Sequence, residues 1–197
     1  MAVNEFIKVS QQAAIEGIVL LKNQDNILPI KDTETVSLFG RCQIDYFKSG
    51  TGSGGAVNVT YSVNALEGIQ NEQININDEL VDVYKQYIQE NPFDNGGGGW
   101  AQEPWFQKEM IVTKKLVENA RKKSDKAIVF IGRTAGEDKD NVLEEGSYYL
   151  TDEEKILLNR VIETFEDVVV VFNVGNIIDM SYIDALGDKI KGIIYSW

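Results

Sequence analysis

The chain has 197 residues, with 19 Lys and Arg against 31 Asp and Glu, a formal net charge of -12, and no histidine. The missing imidazole excludes Ser-His-Asp and Cys-His nucleophile systems, His-ligated haem and most zinc sites, and the lone Cys42 excludes internal disulfides. A surface of this sign repels phosphate backbones, so no nucleic-acid partner is expected, while 43% hydrophobic residues suffice for one core.

Residues 3–21 place Phe6, Ile7, Ala14, Ile18 and Leu21 at helical spacing and predict an amphipathic helix, broken between Asn23 and Pro29. Thr35 to Phe39 reads as a short strand ending at Gly40, followed by a Gly/Ser loop over about 48–59. Ser62 opens a short helix with Val63, Leu66 and Ile69 on one side, and Asp78 to Gln89 predicts another. Residues 91–105 form a loop with Pro92, Gly96 to Gly99, Trp100, Pro104 and Trp105, and a helix is expected from about 107 to 123. Ala127 to Ile131 is an apolar strand, followed by a charged loop over 132–149. Thr151-Asp-Glu-Glu154 is a capping box opening a helix to about 165. Val168 to Phe172 is the next strand, a helical piece covers about 180–186, and Ile190 to Trp197 is the last strand candidate.

Uniformly apolar strands alternating with amphipathic helices predict a parallel sheet covered on both faces, a fold of the α/β class in one domain over 1–197. The chain stops in or just after a buried-type strand, so the sheet is expected to be incomplete at its C-terminal side, and an undercovered face leaves homo-oligomerisation open. No apolar run approaches the roughly 18–20 residues of a membrane span and no signal pattern opens the chain, which leads to the expectation of a cytoplasmic protein without a membrane partner.

Four segments carry chemistry. Gly50-Thr-Gly52-Ser-Gly-Gly55 fits G-x-G-x-x-G, but the strand ends at Gly40, no helix follows and the P-loop lysine is missing. Nucleotide binding is thus a weak reading beside a plain surface loop or a loop lining a ligand, where glycines allow close backbone approach. The loop from Gly132 to Asn141 follows a buried parallel strand, where open α/β sheets bind ligands. Glu137, flanked by Arg133 and Lys139, suits general acid/base work; Asp138 and Asp140 have the first spacing of a calcium loop without its later glycine and glutamate, and a solvated charged loop is the structural reading. Trp100 and Trp105 suit either sugar stacking or packing at an interface. Asn173-Val-Gly175-Asn176 reads as a turn at another strand end, and Cys42 as a small buried residue with no base beside it.

Taken together, Ala13-Ala-Ile-Glu-Gly-Ile-Val-Leu-Leu-Lys-Asn23, Leu28-Pro29, Val36 to Gly40, Gly52 to Asn58, Ile131 to Glu137, Tyr148 to Thr151 and Val169 to Met180 resemble the second, α/β-sandwich domain of glycoside hydrolase family 3, in order and over essentially the whole chain. The resemblance implies a three-layer α/β/α sandwich with a mostly parallel sheet. It also implies a part of a retaining β-glycosidase, typically a β-glucosidase, acting on a β-linked oligosaccharide or an aryl or alkyl glycoside. In that family a barrel domain supplies an Asp nucleophile and most sugar contacts, and the sandwich supplies the acid/base carboxylate. Glu137 matches the Gly-Glu motif of that carboxylate, with Glu144 and Glu145 in reserve. Gly52, Ser53, Gly54, Arg133, Trp100 and Trp105 are the expected substrate-lining residues. No cofactor and no metal is expected.

The barrel with its nucleophile is absent from this sequence, as is the Gly-Gln-Glu-Gly-Gly-type turn and closing helix that normally follow. The start at Met1 and the segments from Asn91 to Trp100 and Glu103 to Trp105 resemble a subgroup in which the sandwich precedes the barrel. A catalytic barrel in a full-length protein is therefore the expected partner, and this chain alone is expected to be inactive. The alternative is a catalytically inactive carbohydrate-binding or scaffold domain.

Overall fold

The computed structural model describes residues 3–55 and 57–196, with side chains from Glu5 onward; Ala56 of the glycine loop and Trp197 of the last expected strand lie outside them. In chain order the elements are α1 (Val3–Gly17), β1 (Val19–Asn23), β2 (Thr35–Phe39), α2 (Ala65–Asn71), β3 (Asn75–Ile76), α3 (Asp78–Glu90), α4 (Lys114–Arg121), β4 (Lys126–Arg133), α5 (Asp152–Ile162), β5 (Val168–Val174), α6 (Ser181–Leu186) and β6 (Gly192–Ser196). The strands form one six-stranded sheet in the order β1-β6-β5-β4-β2-β3, parallel throughout except for the antiparallel edge pair of β1 with β6.

The apolar strands are explained by burial on both faces. Along β4, Ala127, Val129 and Ile131 enter one core while Ile128 and Phe130 enter the other. β5 divides likewise, with Val168, Val170, Phe172 and Val174 on one side and Val169 on the other. The first core receives Leu80 and Tyr84 of α3, Val117 and Ala120 of α4, Leu157, Leu158 and Val161 of α5 and Ile183 of α6; the second receives Leu66 of α2 and Val81 of α3. Each buried Val, Leu, Ile or Phe among them contributes about 1.5–3 kcal/mol. The result is the three-layer α/β/α sandwich.

The helix starts follow from their caps. Thr151 accepts from Glu154 N while the Glu154 carboxylate accepts from Thr151 N, the capping box read in the sequence. The helix expected at Ser62 starts instead at Ala65, because Asn64 makes its own capping box with Glu67. The helix expected from 107 begins at Lys114, capped by Thr113. Residues 107–113 are diverted by Gln107 and Glu109, whose side chains bond the backbone of other segments. The largest correction is at the N-terminal side: the helix ends at Gly17, and Val19 to Asn23 is a strand. Its β-branched and leucine residues pair with the exposed edge of β6, in register Val19↔Tyr195 and Asn23↔Gly192, and the pairing outweighs helical periodicity. No helix among the described residues is long and apolar enough to cross a membrane.

Candidate functional site

The sheet order reverses between β2 and β4: from β2 the chain moves toward β3, and from β4 it moves toward β5 and β6. In an open α/β sheet the loops leaving two such strands diverge at their carboxyl ends and open a crevice. Gly40 ends β2 with φ 91°, and a Cβ there would stand 2.1 Å from the Phe130 carbonyl oxygen, so only glycine lets the chain leave beside β4. The segment after β2 carries the glycine loop; the segment after β4 carries Glu137.

These two loops meet. Thr51 N donates to Ala135 O at 2.7 Å, Glu137 N to Thr51 O at 3.3 Å, and Thr51 Oγ1 to Glu137 O at 3.2 Å. Ser53 N and Ser53 Oγ then donate to the same carboxylate oxygen, Oε2 of Glu137, at 3.1 and 3.0 Å, across 84 residues of chain. Among the described residues nothing bonds Oε1, and the side chain is exposed. Gly52 lies so close that a Cβ would meet Glu137 Cβ at 2.4 Å. Gly54, by contrast, is exposed with open space around its Cβ position.

The third wall is the 91–108 segment. Trp100 Nε1 donates to Asp138 Oδ2 at 2.8 Å, Trp105 Nε1 to Asp140 O at 3.2 Å, and Thr134 Oγ1 to Glu103 Oε1 at 2.7 Å. The Lys139 ammonium lies 4.6 Å from the centre of the Trp105 ring, so it engages Trp105 instead of the Glu137 carboxylate. Asp138 and Asp140, the calcium alternative, are thus bound to tryptophans through a side chain and a carbonyl respectively. A cleft of about 550 Å³ lies between this segment and the 46–55 loop, lined among others by Phe47, Thr51, Gly52, Phe93, Trp100 and Glu103. Glu137 is not itself in the lining; it lies behind Gly52, which is. Trp100 is 53% exposed on this cleft.

Two buried arginines close the necks of these loops. Arg133, expected as a substrate-lining residue, turns inward instead: its guanidinium makes two 2.6 Å bonds to Glu154 and donates to the carbonyls of Ser147 and Tyr149 at 3.3 Å. The reason is geometric, since the residue sits in β4, where alternation points it at the N-terminus of α5. It anchors the base of the loop that carries Glu137. Arg41 pairs with Asp45 and donates to Lys108 O and Asn91 O at 2.8 and 2.9 Å, tying both ends of the 91–108 segment.

The remaining expected residues lie elsewhere. Glu145 pairs with Lys155 at 2.8 Å and lines a separate depression with Tyr149 and Tyr182, so it is not brought to Glu137. Glu144 is exposed on the same turn, its carbonyl accepting from Tyr149 N. Cys42 is buried, and burial pushes its thiol up to about 12, which leaves it a packing residue. Sequence reasoning missed Glu109, whose carboxyl accepts from Arg41 N at 2.8 Å and Met110 N at 2.7 Å; burial raises it to about 8. It also missed the cleft residues Phe47, Phe93 and Glu103, for which no local pattern exists.

Fold and site together define an α/β-sandwich domain with a carboxylate-bearing cleft at its topological switch point. The chain belongs to the glycosyl hydrolase family 3 C-terminal domain family, whose model matches residues 18–197. It is 43% identical over 194 residues to a beta-glucosidase of Ruminococcus albus, covering 98% of this chain and 20% of that protein. It is 32% identical over 220 residues to beta-glucosidase A of Butyrivibrio fibrisolvens, covering 100% and 26%. A solved beta-glucosidase from Paenibacillus barengoltzii matches all of the chain with 22% of its own length, at 54% identity and a TM-score of 0.96. Beta-glucosidase 3B from Thermotoga neapolitana, solved with glycerol, matches 100% of the chain with 27% of its own at 30% identity and a TM-score of 0.86. The chain spans about a fifth to a quarter of the length of these relatives.

Proposed function

We propose that this domain supplies Glu137 as the acid/base carboxylate of a retaining β-glycosidase whose nucleophile lies on a catalytic barrel in the full-length protein. The observation that carries this reading is the state of the carboxylate: Oε2 is held by both donors of Ser53, while Oε1 has no partner among the described residues. A general acid needs this division, with one oxygen orienting the group and the other free to reach the glycosidic oxygen. In the first half-reaction the protonated carboxyl gives its proton to the leaving group as the nucleophile attacks. In the second the carboxylate takes a proton from water, which attacks the glycosyl-enzyme. Substrates are β-glucosides, with the leaving group on the side of the 46–55 loop and Trp100.

The test is Glu137→Gln in the full-length enzyme. The expected result is a loss of about 10²–10⁴-fold in kcat/KM on substrates with poor leaving groups, with little loss on dinitrophenyl glucoside, which needs no proton. An equal loss on both, or none, rejects the assignment. The exposed Trp100 over the cleft favours one second reading, sugar binding without catalysis. Calorimetry of this chain with cellobiose tests it: heat that disappears in Trp100→Ala supports binding by the domain alone.

A further inference from the structure

We propose that Asn173, on β5, is a positioning residue for the glycosidase reaction, acting through the backbone of Phe47; this rests on the acid/base reading of Glu137. Asn173 is 1% exposed and belongs to a strand adjacent to β4, not to any loop of the cleft. Its carboxamide treats Phe47 as a further strand residue: Oδ1 accepts from Phe47 N at 2.8 Å and Nδ2 donates to Phe47 O at 3.1 Å. The same Oδ1 accepts from Cys42 Sγ at 3.5 Å. A buried polar side chain whose donor and acceptor are both used by one distant peptide unit fixes that unit's position and orientation.

The path from there to Glu137 is short and continuous. The Phe47 ring packs on Gly132, where a Cβ would stand 2.8 Å from it, so the ring occupies the space a side chain on β4 would fill. It also meets Phe93 edge-on at 5.8 Å between centroids, which joins the two cleft walls. From Phe47 the chain runs through Lys48 and Ser49 to Gly50, which lies against Ala135 O. Thr51 then pairs with Ala135 and Glu137, and Ser53 grips Oε2. Along residues 46–53 the backbone is tied to the sheet and to the Glu137 loop at two places: at Phe47, where Asn173 supplies both bonds, and at Thr51 and Ser53, which meet Ala135 and Glu137. Displacement of Phe47 would move Ser53, and with it the only side chain that orients the acid/base carboxylate among the described residues.

The experiment uses the full-length enzyme with Asn173→Ala, which removes both bonds, and Asn173→Asp. The aspartate keeps the acceptor for Phe47 N–H but sets an oxygen against Phe47 O. The readout is kcat/KM on an alkyl glucoside and on dinitrophenyl glucoside, with Glu137→Gln as reference. A misplaced general acid lowers the first by about 10- to 100-fold and spares the second, so their ratio changes. A residue needed only for folding lowers the active fraction and leaves the ratio unchanged, which overturns the proposal. Failure of both variants to yield folded protein overturns it as well, because Asn173 would then serve the fold. If Glu137→Gln shows the leaving-group signature and the Asn173 variants do not, Asn173 falls while Glu137 stands. If Glu137→Gln shows none, the acid/base reading falls and takes Asn173 with it.

Discussion

The strand-end loops and the N-terminal arm reverse what their compositions suggest. The arm, α1 with β1, is rich in Phe, Ile, Val and Leu, yet every described side chain from Glu5 to Leu21 is exposed, Phe6 at 64% and Leu21 at 53%. The loops after β2, β4 and α3 are rich in Gly, Asp and Asn, yet they rest on buried arginines, a buried glutamate and a buried asparagine. Burial follows from what packs opposite a segment, not from how apolar the segment is. Among the described residues β1 of the arm pairs with the edge of β6, and Lys22 reaches Gly187 and Asp188; these contacts offer backbone bonds and charge but little apolar cover. The loops have each other.

That contrast can be broken at several points. The largest effect is expected at Glu137, where Gln substitution in the full-length enzyme removes about 10²–10⁴-fold of kcat/KM on unactivated glucosides without changing the urea midpoint of the fold. Next comes the pair beneath it. Glu154→Ala leaves the Arg133 guanidinium buried and unpaired, and urea unfolding of the chain should show a loss of about 3–5 kcal/mol. A loss below 1 kcal/mol would mean that the loop neck does not depend on the pair.

A further effect is pH-dependent. In the folded chain burial keeps the proton on Glu109 up to about 8, whereas the unfolded chain releases it near 4.5. Between these values the folded state binds more protons, so stability falls as pH rises, with a slope of up to about 1.4 kcal/mol per pH unit. Glu109→Gln should flatten this slope in denaturant titrations at pH 5, 6.5 and 8. An unchanged slope would place its origin at another group. The smallest effect belongs to the arm: Phe6→Ser and Val9→Ser should each change the stability of this chain by less than about 0.5 kcal/mol, because both side chains are mostly exposed. A loss of 2 kcal/mol would show that the arm packs in solution.

The parts legible in the sequence are those with a local cause. Runs such as Val168 to Phe172 and Ala127 to Ile131 announce strands buried on both faces, and Thr151 with Glu154 announces a helix start. Glu137 is legible as a candidate from its place after such a strand. Glu109, Asn173 and the inward turn of Arg133 are not, since each depends on a partner many residues away. The helix expected over 107–113 failed for the same reason: side chains at helical spacing found better partners across the loop than along it. Ile18 to Leu21 fits helical spacing as well as it fits a strand, and only the unpaired edge of β6 decides between them.

By itself, then, the sequence determined an α/β sandwich and the order of most of its elements, and it singled out Glu137 as a candidate. Periodicity, caps and apolar runs act within a few residues and are written in the order of the chain. Only the tertiary structure decided that Ser53 meets Glu137 across 84 residues, that Arg133 turns to Glu154, and that Asn173 holds Phe47. Those choices are made by hydrogen bonds between groups far apart in the chain, which form only once the sheet has set where its strands end.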